Sequence, residues 1–280
     1  MCFAQIGSFF LFLERRLIVL KPLILITNDD GIDSPGLLAV AEAIEPFAEV
    51  LICAPATQQT CMGRAFPRIK DLGIINSKTI KLNDSHTTAY AIHSSPAYSV
   101  AHGVLELANR TPDLVISGVN YGENLGTILT CSGTVGAVLE ANTHGIPGIA
   151  FSVPADLSIQ RSTSFPSIDW EPIKKIVAFW TLKLLKEKTI YDTQWLNINI
   201  PSPTPDITNY AYTKQSKQNL FYSVKPKSRD LTKPFELQTE RKYDIETLDP
   251  EDDIYAIFIK KCTSVTPIVH NLTSPAFLRR

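Results

Sequence analysis

Short, continuously apolar runs punctuate the first half of the chain. Residues 23–27 (Leu-Ile-Leu-Ile-Thr), 50–54 (Val-Leu-Ile-Cys-Ala), 113–117 (Asp-Leu-Val-Ile-Ser) and 146–152 all lack the alternation of a strand with one wet face. They predict strands buried on both sides, as in a parallel sheet. Between them the period changes. Over residues 36–47 the apolar positions Leu37, Leu38, Val40, Ala41 and Ile44 recur at helical spacing, and Ser95-Pro96 caps and opens a helix through Leu107 with Val100, Val104, Leu105 and Ala108 inward. Further helices are predicted from Ser132 to about Thr143 and over 170–188, the latter burying Ile173, Ile176, Val177, Trp180 and Leu184.

Residues 63–93 are less regular, with β-like pieces at 73–75, 79–82 and 88–92 that read as an antiparallel insertion. Residues 196–200 (Leu-Asn-Ile-Asn-Ile) alternate as a half-exposed strand would, and past Pro201 prolines, lysines and β-like pieces at 210–213 and 254–259 read as hairpins. The order strand, helix, strand, insertion, helix, strand, helix, strand predicts an α/β fold, a mostly parallel sheet with helices on both faces, followed by a smaller strand-rich hairpin module. Residues 1–20 read as an N-terminal extension, 21–190 as the core and 191–280 as the C-terminal module. The apolar stretch 8–13 is too short to span a bilayer and precedes Glu14, Arg15 and Arg16 where a signal peptide needs small residues, so no membrane association is expected.

Composition narrows the classes. The 280 residues carry a net charge of −1 with lysine and arginine scattered, which offers no basic stripe for a nucleic-acid duplex. Cys2, Cys53, Cys61, Cys131 and Cys262 are odd in number and never form Cys-x-x-Cys, which points to reduced thiols in a cytoplasm rather than a zinc cage or disulfide framework. His86, His93, His102, His144 and His270 show no ligand spacing.

The chemistry concentrates where the strands end. The first predicted strand stops in Asn28-Asp29-Asp30-Gly31, and two adjacent carboxylates must be solvated, protonated or neutralised. One reading is a hard divalent ion held by oxygen ligands. The other is a strand-to-helix turn in which Gly31 supplies the backbone freedom and Asp33 or Ser34 caps a helix opening at Pro35. The second strand ends in a polar loop, Pro55 to Thr60, and the third in the glycine- and asparagine-rich loop 118–126. Ser132-Gly133-Thr134 opens a helix whose exposed amides and dipole suit a phosphate, although such helix starts are more often plain caps.

Taken together, Asn28-Asp29-Asp30-Gly31, Ala54-Pro55 with Gln59-Thr60, Ser117-Gly118-Val119-Asn120-x-Gly122-x-Asn124-x-Gly126 and Ser132-Gly133-Thr134-Val135 resemble the SurE family of metal-dependent 5′-nucleotidases. The likeness runs from about Leu23 to the end, with 196–201 and 263–268 similar to that family's C-terminal landmarks, and leaves the first 20 residues outside. It implies a Rossmann-like catalytic core, one Mg²⁺ or Mn²⁺ per subunit held by Asp29, Asp30, Thr60 and Asn120, and phosphoryl binding by Asn124, Ser132, Gly133 and Thr134. A metal-activated water, oriented or deprotonated by Asp29 or Asp30, would release phosphate from a nucleoside 5′-monophosphate. A homodimer or homotetramer is implied, with the C-terminal module reaching to a neighbour. Thr60 stands where that family has serine, Cys61 where it has glycine, Thr127 where aspartate is common and Cys131 where tyrosine is common. Those departures leave open a catalytically weakened nucleotide-binding or assembly protein, or a broader phosphomonoesterase acting on 3′-nucleotides or short polyphosphate. Adjacent carboxylates do not fit the Asp-x-Asp of haloacid-dehalogenase-type phosphatases, and there is no Walker A loop.

Overall fold

The computed structural model describes residues 20–273 apart from 84, 160, 161, 163 and 190–192, so the extension read over 1–20 falls outside it except for Leu20. In chain order the elements are β1 (Leu23–Thr27), α1 (Pro35–Ile44), β2 (Glu49–Pro55), β3 (Ile75–Lys81), β4 (His86–Ile92), α2 (Pro96–His102), β5 (Leu114–Tyr121), α3 (Gly133–Thr143), β6 (Gly148–Val153), α4 (Trp170–Glu187), β7 (Trp195–Asn199), β8 (Tyr210–Tyr212), β9 (Phe221–Ser223), β10 (Thr239–Arg241), α5 (Asp253–Tyr255) and β11 (Thr263–Pro267). Nine strands form one sheet in the order β3-β4-β2-β1-β5-β6-β7-β11-β8, and β9 pairs with β10 as a separate ribbon. The six strands from β4 to β7 are parallel.

Alternation along β1 explains the layers. Ile24 and Ile26 join α1 and α4 in one core with Leu37, Val40, Ile44 and Trp180, whereas Leu23 and Leu25 face the opposite layer with Val100, Ala137 and Ala141 of α2 and α3. Both faces of the strand are covered, which is why its sequence is continuously apolar.

The antiparallel pairing expected within 63–93 is the β3–β4 hairpin, and β4 joins the sheet in parallel with β2, Ile52 opposite Ala89. The sheet continues past residue 190 through β7, β11 and β8, while β9 and β10 pair apart from it. Other expectations are corrected. Residues 254–259 are helical rather than extended, α5 running into a π turn at Ala256–Lys260. Ile254 and Ile257, three residues apart, face one small core, a period that so short an apolar run does not reveal. Helix α2 also widens into a π turn at Gly103–Leu107, which leaves Leu105 71% exposed. At its start a Cβ on Gly103 would lie 2.5 Å from Leu25 Cδ1 and 3.3 Å from Cys53 Cβ, so a larger residue would have to displace side chains of the sheet. Leu38, expected inside, is exposed.

Candidate active site

Strand order reverses between β1 and β5: β2 and β4 lie to one side of that pair, β6 and β7 to the other. The carboxyl ends of β1 and β5 therefore flank a switch point, the usual ligand crevice of an open α/β sheet. Asp29 and Asp30 follow β1 directly, and Asn120 is at the end of β5.

Local hydrogen bonds fix the turn after β1. Asn28 Nδ2 donates to the Gly31 carbonyl (2.9 Å), and the Gly31 amide donates back to Asn28 Oδ1 (3.2 Å). Gly31 has φ +95°, and a Cβ there would press on the backbone of Thr57 and Gln58 at 3.2–3.3 Å. The loop after β2 is tied to the same turn, Gln59 N–H donating to the Asp29 carbonyl at 2.7 Å and Ile32 N–H to that of Pro55 at 2.9 Å.

Both carboxylates are buried. Asp29 Oδ1 accepts from Thr134 Oγ1 at 2.7 Å, and the backbone amides of Gly133 and Thr134 also bond to this carboxyl. The helix start that resembled a phosphate cradle thus supports Asp29 with its first amides. Gly133 is needed for that contact, because a Cβ would stand 2.8 Å from both Cβ and Oδ2 of Asp29. Ser132 caps α3 by accepting from Val135 N–H at 3.1 Å, and it lines the crevice. Asp30 Oδ2 accepts from the Tyr121 amide at 3.2 Å, and its carboxyl also bonds the Gln58 side chain. Burial raises Asp29 to about 6 against those hydrogen bonds. It holds Asp30 well above the usual carboxylate range, with the Asp29 charge adding to the effect. Among the described residues neither makes an ion pair with lysine, arginine or histidine.

Asn120 Nδ2 donates to the Gly122 carbonyl at 2.7 Å, which anchors the carboxamide by its nitrogen. Asp29, Thr60, Asn120, Asn124 and Ser132 line one crevice of about 780 Å³. Among the described residues no three of His, Cys, Asp or Glu cluster as a metal site. The crevice instead brings together the Asp29 carboxylate, the Thr60 hydroxyl and the Asn120 amide, with Asp30 next to Asp29 in the chain, oxygen donors of the kind that suits a hard ion such as Mg²⁺ or Mn²⁺.

Asn124 is held more tightly than its loop position suggests. Its amide donates to Asn199 Oδ1 (2.9 Å), and its carbonyl accepts from Asn197 Nδ2 (2.8 Å) and Asn199 Nδ2 (3.0 Å). Its own Nδ2 donates to Ser152 Oγ (2.9 Å) and reaches Thr134 Oγ1 (3.4 Å). Asn197 and Asn199, expected on a wet face of β7, are 0% and 1% exposed. Their alternation with Leu196 and Ile198 marks a polar interior face. Nothing in the sequence signals that Ser152, Gln58 and the Tyr121 amide belong to this neighbourhood. The far wall comes from the β9–β10 ribbon, through Phe221, Val224, Leu237 and Thr239.

A mostly parallel α/β sheet with two buried carboxylates and a helix start at its switch point defines a doubly wound protein with an acidic, oxygen-lined crevice. The family model described as Survival protein SurE matches residues 24–221. This chain belongs to the SurE family. It is 37% identical over 198 residues to the 5′-nucleotidase SurE of Methanocella arvoryzae, covering 70% of this chain and 73% of that one. The 5′-nucleotidase SurE of Methanococcus maripaludis strain C6 is 35% identical over 256 residues, 90% of this chain and 93% of the other. The crystal structure of the SurE protein from Aquifex aeolicus aligns with a TM-score of 0.67 at 30% identity, over 92% of this chain and 97% of that one.

Proposed function

We propose that this protein hydrolyses nucleoside 5′-monophosphates to nucleoside and phosphate, using one divalent cation per subunit, Mg²⁺ or Mn²⁺. The observation that carries the reading is the burial of two adjacent carboxylates with no cationic side chain paired to either among the described residues, the first of them, Asp29, lining one crevice with Thr60 and Asn120. Relatives named 5′-nucleotidase SurE, at 35–37% identity, supply the substrate class.

Asp29, Asp30, Thr60 Oγ1 and Asn120 Oδ1 would hold the ion. When bound, it supplies positive charge and Lewis acidity to the phosphoryl oxygens. The chain's own groups do the rest. Asp29 stays fixed by Thr134 Oγ1 and the Gly133 and Thr134 amides, so it keeps its geometry as charge moves. Asp30, anchored by the Tyr121 amide and the Gln58 side chain, would orient an attacking water and take its proton. Asn124 and Ser132 line the crevice where the phosphoryl group would sit, with Gly133 and Thr134 behind them. The β9–β10 ribbon contributes Phe221, Ser223, Thr239 and Glu240 to the lining of the same crevice.

The test is phosphate release from AMP and GMP with Mn²⁺ or Mg²⁺, with and without chelator, in wild type and Asp29→Asn. Metal-dependent turnover that falls about 10³-fold in the variant is expected. Equal rates with and without chelator would overturn the reading. A homodimer or homotetramer is part of the same proposal, supported by apolar Leu231, Phe235 and Leu237 exposed in the arm that joins β9 to β10. Among the described residues Cys53, Cys61, Cys131 and Cys262 form no disulfide, which supports a reducing, cytoplasmic setting. Among the described residues no helix is long and apolar enough to cross a membrane.

A further inference from the structure

Glu123 sits in the loop after β5, between Asn120 and Asn124, with only 1% of its side chain exposed, and it lines the crevice. Arg241 of β10 donates to its Oε2 at 2.9 Å and to the Ala155 carbonyl at 2.7 Å. Its second oxygen, Oε1, has no hydrogen-bond partner and no contact with solvent, and Arg241 Nε is likewise unpartnered. A bidentate ion pair would have satisfied both atoms, so the one-point contact holds the carboxylate while leaving one oxygen to spare. A buried acceptor without a donor is rare enough to need a cause. A carboxylate oxygen accepts only, so what it lacks is a ligand donor such as O–H or N–H.

Position narrows the donor. Glu123 is adjacent to Asn124, whose side chain reaches Thr134 at the start of α3, so it lies beside the phosphoryl end of the crevice. The apolar end is formed by Phe221, Val224 and Leu237 of the ribbon and its arm, a surface for a flat base. The part of a nucleotide between phosphate and base is the pentose, whose 2′- and 3′-hydroxyls are donors. We propose that Glu123 Oε1 is the pentose-recognition acceptor of this site, taking a hydrogen bond from a ribose hydroxyl, with Arg241 as the positioning residue that fixes the carboxylate and pins the ribbon over the sugar. The inference rests on the nucleotidase reading and extends it to sugar selectivity.

A site built to accept from a hydroxyl discriminates strongly against an analogue lacking it, because the acceptor is then left buried and unpaired. The experiment compares AMP with 2′,3′-dideoxyadenosine monophosphate in two ways: as kcat/KM ratio with Mn²⁺, and as Kd ratio by calorimetry on chelator-treated protein, where turnover plays no part. Wild type should favour AMP at least tenfold in both, Glu123→Gln should bring the ratios near one, and Glu123→Asp should keep part of the preference. Arg241→Lys, which retains the charge but loses the fixed geometry, should lower the ratio while retaining binding of both nucleotides. A wild-type ratio near one overturns the proposal whether or not any variant folds, as does an unchanged ratio in Glu123→Gln. Selective AMP binding without turnover would keep the sugar site and sink the nucleotidase reading. Absence of binding by either nucleotide would overturn both.

Discussion

At the scale of single residues the site is a problem of two buried negative charges. Asp29 titrates near 6 in the folded chain against about 4 when unfolded, so its contribution to stability is fully present below pH 4 and is lost as pH rises through 6. Two units correspond to roughly 3 kcal/mol. The metal-free protein should therefore lose stability across that window relative to Asp29→Asn, measurable by urea denaturation at pH 4.5 and 7. An ion competing with those protons should bind more tightly as pH rises through 6, a trend that calorimetric Mn²⁺ titrations at several pH values would record. Burial moves Asp30 in the same direction, so its proton competes with the ion in the same sense. Gly133 supplies a second residue-scale test. Gly133→Ala places a methyl 2.8 Å from the Asp29 carboxylate at a position where alanine suits a helix, so α3 should persist while Mn²⁺ affinity falls tenfold or more. Unchanged affinity would mean that Asp29 does not need the approach that glycine allows.

At the scale of elements, the site depends on β7 as much as on β1. Asn197 and Asn199 satisfy both backbone groups of Asn124, whose side chain meets Ser152 and Thr134, and Thr134 in turn donates to Asp29. Asn199→Ala leaves the Asn124 amide without its acceptor in a buried setting, at a cost of about 1–3 kcal/mol. The expected result is a lower urea midpoint together with a drop in kcat at a temperature where the variant is fully folded; a kcat equal to wild type would confine these asparagines to a structural role. What the sequence disclosed divides along the same line. Strands β1, β2, β5 and β6 announce themselves because burial on both faces leaves only apolar residues, and Asp29, Asp30, Asn120 and Ser132 are legible as strand ends or helix starts. Asn197 and Asn199 mislead because alternation does not say whether the polar face meets water or a polar interior. The helical state of 254–259 was hidden because six residues are too few to separate the two periods, and the π turn after α2 because no propensity marks it. Glu123 with Arg241 could not be paired, since 118 positions separate them and ribbon placement is a tertiary fact.

At the scale of the whole molecule, the sheet and the ribbon gather residues from 29 to 240 around one crevice, and the segment past 190 both extends the sheet and supplies the ribbon that lines the site. In the proposed oligomer a second copy would cover the exposed apolar residues of the arm, Leu231, Phe235 and Leu237. Light scattering should give two or four times 31.0 kDa, and replacing these three by serine should shift the mass toward one chain; a monomeric wild type would remove the partner from the account. The central claim is that oxygens from distant segments hold one ion together. Its most direct measurement is Mn²⁺ titration of the chelator-treated protein followed by electron paramagnetic resonance, in wild type, Asp30→Asn and Asn120→Ala. One ion per chain, with affinity falling tenfold or more in each variant, is the predicted result. Binding of equal strength in all three proteins, or no bound ion in the wild type, would contradict it.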